Sequence, residues 1–277
     1  MTKFIKIDNR IIPTPKGSEY ELENGKVYDL LIYTSWGETS NKFTINGELN
    51  TPKKIYTTKK DEIFIKRVLH NFNNDSSNTT GVLLTGEKGC GKTMAAKILA
   101  ERANLPIIVI NPRTELDKIS DFFKQFDTPV CILFDEVDKE FNTSKLLTFL
   151  DGLQKTSKKL VIMTANNEDS ISSYLKNRCS RMRYYRRYTM VEDAKEYTEL
   201  ICEDFDIKGE EKTKLVDFIA NKIEYPSIDN ILSFIKEYLF TRELDITLEE
   251  VLEFMNINVS ESDSNYYKDE SNDEISD

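Results

Sequence analysis

The stretch that decides the fold is Gly86-Glu87-Lys88-Gly89-Cys90-Gly91-Lys92-Thr93. It follows the pattern G-x-x-x-x-G-K-[ST], whose glycines let the backbone bend so that successive N–H groups line a concave anion site at the start of a helix. A short apolar strand, Val82–Leu84, precedes it, and a segment rich in helix formers, Lys92–Ala103, follows it. These flanks favour a phosphate-binding loop over an ordinary glycine turn between a strand and a helix.

The side chains of this loop suit a nucleotide with a magnesium ion, and the predicted cofactors are ATP and Mg²⁺. Lys92 is placed to reach the β- and γ-phosphates, and the Thr93 hydroxyl is a suitable ligand for Mg²⁺. Cys90 has two interpretations. A thiolate at a helix N-terminus is stabilised and would make an oxidation switch, but we favour a small residue that simply fits the loop.

An acidic cluster stands where such a loop needs one. The apolar strand Val130–Phe134 runs directly into Asp135 and Glu136, so it delivers both side chains to the edge where α/β sheets bind ligands. Asp135 can hold the Mg²⁺ shell, and Glu136 can act as the general base that polarises the attacking water. Taken alone, acidic residues after a strand indicate a solvated turn; the phosphate-binding loop reverses that preference.

The rest of the chain predicts an α/β fold around this loop. Short apolar strands alternate with helical segments from Gly81 to Tyr188, which predicts a parallel sheet flanked by helices and buried on both faces. We predict four parts: a β-rich N-terminal region (1–54), the P-loop core (55–189), a small helical domain (190–257) and an acidic, disordered tail (258–277).

Composition excludes several classes of protein. The 277 residues carry a formal net charge of −10, which argues against a uniformly basic nucleic-acid binder. The four cysteines form no C-x-x-C pair and the only histidine, His70, lacks a companion, so neither a disulfide framework nor a zinc site is indicated. No stretch reaches membrane-spanning length and the N-terminus lacks an apolar signal segment; we expect a cytoplasmic protein with no membrane contact.

At this point the sequence resembles the AAA family of ATPases, from about Tyr56 to Glu237. Leu150-Asp151-Gly152 is similar to the family's L-D-G, and the strand Val161–Ala165 ends at Asn166 as the family's strand ends at its polar sensor residue. The resemblance implies that Asn166 helps to position the attacking water against the γ-phosphate.

The resemblance also implies catalytic arginines that act between subunits. Leu175–Arg181 is similar to the family's R-x-G-R stretch, with Ser180 in place of glycine, which makes Arg178 and Arg181 candidate arginine fingers for the neighbouring subunit's nucleotide. A guanidinium suits this task because it is planar, always charged and bidentate. The alternative is a basic surface turn before a strand. Fingers of this kind imply a homo-oligomeric ring, for which we predict a hexamer.

The helical region after Thr189 resembles the small lid domain of the family. Pro226-Ser227-Ile228-Asp229 stands where AAA proteins carry S-G-A-D. No arginine begins that helix, unlike in clamp loaders and replication initiators, and this favours the AAA clade proper. Tyr56 is a candidate to pack against the adenine base of the nucleotide. An ordinary packing role within the protein is an equal alternative.

One departure from the family concerns the pore. Protein-threading members carry an aromatic-x-Gly loop after the second core strand, whereas Asn111–Glu115 is short and no glycine occurs between Asn111 and Phe126. Phe122, Phe123 and Phe126 have helical spacing and are expected in the core or at an interface. The short loop resembles two branches of the family, the AAA ATPases encoded by tailed phages and the mitochondrial ATPase that moves folded respiratory-complex subunits. The residues of Gly81–Gly89 and Lys158–Leu160 are most similar to the phage group.

We therefore predict a ring-forming Mg-ATPase that remodels or translocates a macromolecular partner, with a protein favoured over a nucleic acid. One alternative is a nucleic-acid accessory ATPase such as a helicase loader, because arginines and tyrosines alternate in Arg181–Tyr188 and aromatic side chains can stack on bases. We favour an edge strand for that run. The other alternative is a slow nucleotide-dependent scaffold, against which the intact Glu136 and Asn166 argue.

Overall fold

The computed structural model describes most of the chain, namely residues 3–7, 9–14, 21–36, 38–75, 79–124, 126, 128–153, 158–171, 182–224, 226–244 and 246–257. The predicted acidic tail, 258–277, lies outside this part. The chain divides into two compact units, Met1–Tyr188 and Thr189–Asp277. Among the described residues, no helix combines the length and apolarity that crossing a membrane requires.

A nine-stranded sheet of the described residues forms the first unit, in the order β1-β2-β4-β3-β6-β7-β8-β5-β9. The five strands from β6 to β9 in that order are parallel to one another. Their bounds are β1 Lys3–Ile7, β2 Arg10–Thr14, β3 Val27–Ser35, β4 Glu38–Gly47, β5 Thr79–Gly86, β6 Ile107–Ile110, β7 Val130–Phe134, β8 Lys159–Ala165 and β9 Tyr184–Tyr188.

Helices connect and cover the parallel strands. Those described in the first unit are α1 Lys59–Asn74, α2 Lys92–Arg102, α3 Leu116–Phe123, α4 Val137–Glu140 and α5 Thr143–Leu153. Every residue of β7 and β8 is buried, as expected for continuous apolar strands with helices on both faces. The predicted α/β class with a parallel P-loop sheet is therefore confirmed.

The N-terminal strands extend the same sheet. β3 lies parallel to β6, from Val27 opposite Ile107 to Leu30 opposite Ile110, and β4 pairs antiparallel with β3. Trp36, the only tryptophan in the sequence, follows β3 and is fully exposed. The residues whose pattern predicted a β-rich N-terminal region thus form additional strands of the same sheet, next to β6.

The three phenylalanines of the α3 region lie in the core. Phe122, Phe123 and Phe126 are at most 4% exposed. Phe122 meets the ring of Phe43 on β4 edge-on, with 5.6 Å between centroids, and Phe123 contacts Phe149 on α5 at 6.0 Å. The expectation of a core role is confirmed, because these rings join the N-terminal strands to the helical layer.

The second unit is helical in its described residues. Its helices are α6 Met190–Asp204, α7 Gly209–Lys222, α8 Ile228–Thr241 and α9 Leu248–Phe254. Ser227 caps α8 because its hydroxyl accepts a hydrogen bond from the Asn230 N–H at 3.0 Å. Phe218 and Phe234 stack between α7 and α8, with ring centroids 5.7 Å apart. The helical periodicity after Thr189 is therefore confirmed.

β9 is the edge strand that the arginine and tyrosine run predicted. It pairs with β5 at the end of the strand order. Its alternate residues point to opposite faces: Tyr184 and Tyr188 are buried, whereas Tyr185 and Arg187 are exposed. Arg186, on the same face as the buried tyrosines, lies over the Tyr188 ring with its guanidinium carbon 4.5 Å from the centroid.

Candidate nucleotide site

The predicted phosphate-binding loop connects the end of β5 to the start of α2. Gly89 and Gly91 have positive φ angles of 78° and 86°, which glycine adopts without steric cost. Gly91 is the N-cap of α2 and no side chain caps that end. The first backbone N–H groups of α2 therefore lack a side-chain acceptor, as an anion-binding helix N-terminus requires.

Gly86 is fixed by a close approach of two strands. Its φ is 138°, and a Cβ added there would lie 2.3 Å from the carbonyl oxygen of Tyr188. Gly86 and Tyr188 are also register partners between β5 and β9. The first glycine of the motif is thus needed for the packing of β9 as well as for the bend of the loop.

We expect Gly86→Ala to lower the free energy of unfolding by more than the roughly 1–3 kcal/mol that a strained backbone conformation costs. The additional loss comes from the clash of the new side chain with a main-chain atom. Gly47→Ala is a matched control, since Gly47 also has a positive φ of 89° but a Cβ there would meet nothing within 4 Å. Chemical denaturation of both variants measures the difference. Equal losses would show that contact with Tyr188 is unimportant.

Lys92 is buried within the loop. Its ammonium donates a hydrogen bond to the carbonyl oxygen of Glu87 and lies 3.6 Å from the sulfur of Cys90. The side chain is folded against the loop's own main chain, while the side chains of Glu87 and Lys88 are exposed. A buried positive charge beside the free N–H groups makes this concavity attractive to phosphate.

Cys90 is buried, and its thiol donates to the Glu87 carbonyl oxygen at 2.7 Å. Burial raises the pKa of the Cys90 thiol despite the nearby Lys92 ammonium. A thiol with a raised pKa carries little thiolate, which is the reactive form. The geometry therefore favours a small residue that fits the loop over an oxidation switch.

Thr93 and Asp135 bring two oxygen atoms together from different elements. The Thr93 hydroxyl, in the first turn of α2, donates to Oδ1 of Asp135 at 3.0 Å. Asp135 directly follows β7 and is exposed. A hydroxyl and a carboxylate fit Mg²⁺, which takes oxygen ligands and usually keeps waters and substrate phosphates besides one or two carboxylates. The described residues contain no group of three or more histidine, cysteine or acidic side chains that would hold a metal by themselves.

Thr164, which the sequence argument did not single out, joins the two acidic residues. Phe134 is opposite Met163 in the register of β7 and β8, so the next residues of the two strands are neighbours. The Thr164 hydroxyl donates to Asp135 Oδ1 and accepts from the Glu136 N–H at 2.9 Å. Its position immediately before Ala165-Asn166 was the available signal.

Glu136 and Asn166 meet directly at the same edge of the sheet. The Asn166 amide nitrogen donates to Oε1 of Glu136 at 2.8 Å. This hydrogen bond, followed by the nearby Lys139 ammonium, lowers the pKa of Glu136 against the opposing effect of burial. The carboxylate is consequently ionised at neutral pH, as a general base must be. Glu136 also holds a left-handed backbone conformation with φ 49°.

Asp138 fixes the loop after β8. Its two carboxylate oxygens accept from the N–H groups of Asn166, at 3.1 Å, and Asn167, at 2.9 Å. Sequence pattern assigned Asp138 no role. Because it anchors the backbone of Asn166, it connects the acidic segment after β7 to the polar residue after β8.

The other predicted site residues are Tyr56, Arg178 and Arg181. Tyr56 is half-buried, three residues before α1 begins, and its ring centroid is 6.0 Å from the Lys54 ammonium nitrogen. Desolvation raises the pKa of its phenol. Arg178 and Arg181 lie outside the described residues.

The fold and this edge of the sheet define a P-loop nucleotide-binding domain. Residues 82–187 match the family model described as "ATPase family associated with various cellular activities (AAA)". This part of the chain is therefore an AAA ATPase domain, and the predicted ATPase class is confirmed for it.

Curated relatives resemble the same region. The cell division cycle protein 48 homolog of Archaeoglobus fulgidus is 31% identical over 119 residues, which cover 34% of this chain and 16% of that protein. The ATP-dependent zinc metalloprotease FtsH of Heterosigma akashiwo is 30% identical over 121 residues, covering 34% of this chain and 18% of that protein. The chain spans less than a fifth of the length of these relatives.

Solved structures share the fold. The RuvB Holliday junction branch migration motor of Thermotoga maritima superposes with a TM-score of 0.52 at 17% identity, over 74% of this chain and 72% of that chain. AMPPCP-bound DnaA from Aquifex aeolicus gives a TM-score of 0.52 at 15% identity, over 76% of this chain and 70% of that chain. At these identities the likeness establishes the architecture alone.

Proposed function

We propose that this protein is a Mg-dependent ATPase that assembles into a homo-oligomeric ring, a hexamer, and uses hydrolysis to remodel or translocate a protein partner. The observation that carries the proposal is the convergence of three pieces at one sheet edge. They are the buried Lys92 of the loop, the Thr93–Asp135 oxygen pair and the Glu136–Asn166 pair. An AAA ATPase domain over residues 82–187 supports it.

In the proposed reaction a water oxygen forms a bond to the γ-phosphorus while the bond between that phosphorus and the β–γ bridging oxygen breaks, leaving ADP and phosphate. Glu136 accepts the proton of the water, and Asn166 holds the water in line. Lys92 and the loop N–H groups bind the phosphate oxygens. Thr93 and Asp135 would hold Mg²⁺, which would supply charge neutralisation to the triphosphate.

The ring is part of the proposal because Arg178 and Arg181 are assigned to the neighbouring subunit's site. Residues 190–257 are proposed to act as the lid, and the β-rich N-terminal region (1–54) to pass movement on to the partner. Tyr56 is proposed as a wall for adenine. The similarity to AAA ATPases of tailed phages rests on the amino-acid sequence of Gly81–Gly89 and stays a prediction.

We expect Arg178→Ala and Arg181→Ala to lower turnover while an isolated subunit keeps its nucleotide affinity, because each guanidinium serves the site next door. Mixing either variant with Lys92→Ala subunits should restore part of the activity, since some mixed interfaces contain an intact loop facing an intact arginine. ATPase assays across mixing ratios measure this. Absence of rescue at every ratio would contradict fingers that act between subunits.

The charges around β9 favour a protein partner. Arg183 forms an ion pair with Asp75, and Arg186 pairs with Asp61 at 2.9 Å, with both side chains at most 11% exposed. Arginines that face carboxylates of their own chain contribute less to phosphate binding. The helicase-loader alternative requires the opposite: turnover that rises with single-stranded DNA and DNA binding that falls steeply with salt.

A further inference from the structure

Trp36 occupies the tip of the hairpin formed by β3 and β4. Ser35 and Glu38 are register partners at the ends of the two strands, so only Trp36 and, in sequence, Gly37 stand between them. The Trp36 side chain is fully exposed, and its backbone is left-handed with φ 53°. Turns of this kind favour asparagine before glycine, and a positive φ is an outlier for a bulky residue. Neither burial nor turn geometry therefore accounts for a tryptophan at this position.

The strand end that carries Trp36 is braced. The Glu115 carboxylate, just before α3, accepts hydrogen bonds from the Thr34 N–H at 2.7 Å and from the Thr34 hydroxyl at 2.8 Å. The Glu115 N–H in turn donates to the Ile32 carbonyl oxygen at 2.9 Å. Since the register of β3 with β6 ends at Leu30, these bonds hold the part of β3 beyond that pairing. A tip that is already fixed loses little conformational freedom when it binds.

Residues of β2, β3 and β4, together with neighbouring residues, line an open cleft of about 700 Å³, called here the β2–β4 cleft. An indole ring is small enough for it, because pockets of about 300–1,000 Å³ hold drug-sized ligands. Arg10 and Lys42 of the lining can lie over an aromatic face, and the Asp29 carboxylate can accept an indole N–H. Asp29 is six residues before Ser35 on β3, roughly 20 Å along an extended strand. The tip therefore does not reach the cleft of its own chain.

The tip and the β2–β4 cleft carry opposite charges. Glu38 is the only charged residue among residues 33–40, whereas the cleft sets Arg10 and Lys42 against Asp29 alone. Nucleic acids and anionic membranes attract basic surfaces, so an acidic tip disfavours both as its occupant. A chain with a net charge of −10 repels its own copies, and an acidic tip against a basic cleft offsets part of that repulsion.

We propose, on the basis of the ring assigned above, that Trp36 of one copy inserts into the β2–β4 cleft of the next copy. Arg10 and Lys42 of that copy face the indole ring, and its Asp29 accepts the indole N–H. Each copy thus presents a tip to one neighbour and a cleft to the other, and head-to-tail contacts of this kind form rings when their rotation closes. Tryptophan is also among the residue types enriched at interface centres.

Trp36→Asn removes the proposed anchor and keeps the hairpin, because Asn-Gly is a preferred sequence for such a turn. We expect the association constant between copies to fall by about 30-fold or more, the usual effect of truncating a central interface residue. The thermal stability of the dissociated subunit should be unchanged or higher. Sedimentation equilibrium of the full chain measures the association. Because Trp36 is the only tryptophan, iodide should also quench its fluorescence less as the parental chain assembles.

A cleft variant, Arg10→Glu/Lys42→Glu, should weaken association by a similar factor, because it turns the basic lining against the acidic tip. Lys53→Glu/Lys214→Glu is its matched control. Both of these lysines are exposed and lie outside the cleft, so the same change of net charge should leave association unchanged. Equal weakening by the two double variants would mean that net charge alone is responsible, and would overturn the proposed contact.

Mixing the tip variant with the cleft variant tests the head-to-tail arrangement. Trp36→Asn keeps its cleft and Arg10→Glu/Lys42→Glu keeps its tip, so one intact contact is available to the pair. We expect the mixture to form one-to-one dimers at concentrations where each variant alone is monomeric, and no larger assembly. Absence of these dimers, or parental assembly by Trp36→Asn alone, would overturn the proposal.

Failure of the ring or of the ATPase has a different signature. A parental chain that stays monomeric at all concentrations, with and without Mg-ATP, contradicts the ring itself. A parental chain that assembles, with Trp36→Asn assembling equally, keeps the ring and loses only this contact. The ATPase assignment depends on neither result, because it is judged by magnesium-dependent turnover that Glu136→Gln removes.

Discussion

Glu136→Gln is expected to stop ATP turnover while leaving nucleotide binding intact, with a fall in kcat of about 10²–10⁴-fold, the usual contribution of general base catalysis. An amide oxygen cannot take the proton of the attacking water. The substitution keeps the size of the side chain and an acceptor for the Asn166 amide, which now donates to Oε1 at 2.8 Å. Steady-state turnover and nucleotide titration of the same sample separate the two effects.

Glu140→Gln serves as the control for this variant. Glu140 is an exposed carboxylate on the same short helix α4, and it is not part of the proposed site. Its replacement should leave turnover unchanged. A Glu136→Gln protein that hydrolysed ATP at the parental rate would show that another group accepts the proton.

Lys92→Ala is expected to weaken ATP and ADP binding by about 10- to 100-fold or more, and turnover with it. A hydrogen bond to a charged group contributes about 1.5–3 kcal/mol, and the ammonium is assigned to two phosphates. Because Lys92 is buried and donates to Glu87, the thermal stability of the variant must be measured alongside its affinity.

Lys97→Ala tests whether any lysine of α2 would give the same result. Lys97 lies one turn further along α2, where its ammonium donates to the Asn50 carbonyl oxygen at 2.6 Å. Removing it should leave nucleotide affinity unchanged. Equal affinity in the Lys92→Ala and parental proteins would contradict a phosphate-binding role for Lys92.

Local pattern in the sequence was sufficient for the loop and the parallel strands. The glycine spacing between an apolar strand and a segment rich in helix formers predicted the turn from β5 into α2. Gly89 and Gly91 have positive φ angles in this turn, which glycine adopts more readily than other residues. The continuous apolar runs of β7 and β8 predicted strands buried on both faces. These features depend on neighbours in sequence, which a single chain displays.

Features that depend on register could not be predicted. The pattern of residues 1–54 indicated strands, but the parallel pairing of β3 with β6 is a contact between segments about 80 residues apart. Thr164 reaches Asp135 and Glu136 only because β7 and β8 align as they do. Similarly, the clash that fixes Gly86 comes from Tyr188, which no local motif includes.

Glu136 and Asn166, the proposed catalytic pair, were predicted as two separate residues and not as one contact. Sequence pattern placed Glu136 after one strand and Asn166 after another, and parallel strands end at a common edge. The direct hydrogen bond between them and the lysine beside it depend on side-chain conformations. Side-chain positions of this kind follow from packing and charge, and the spacing of motifs carries no information about them.

Calorimetric titration of the purified chain with ADP, with and without magnesium, tests most directly whether Gly86–Thr93 holds a phosphate tail. We expect a single binding event per chain that tightens when the metal is added and weakens by about 10- to 100-fold or more in Lys92→Ala. No heat of binding under either condition, from folded protein, would contradict the account, because the roles given to Glu136, Asn166 and the arginines all require a nucleotide in that loop.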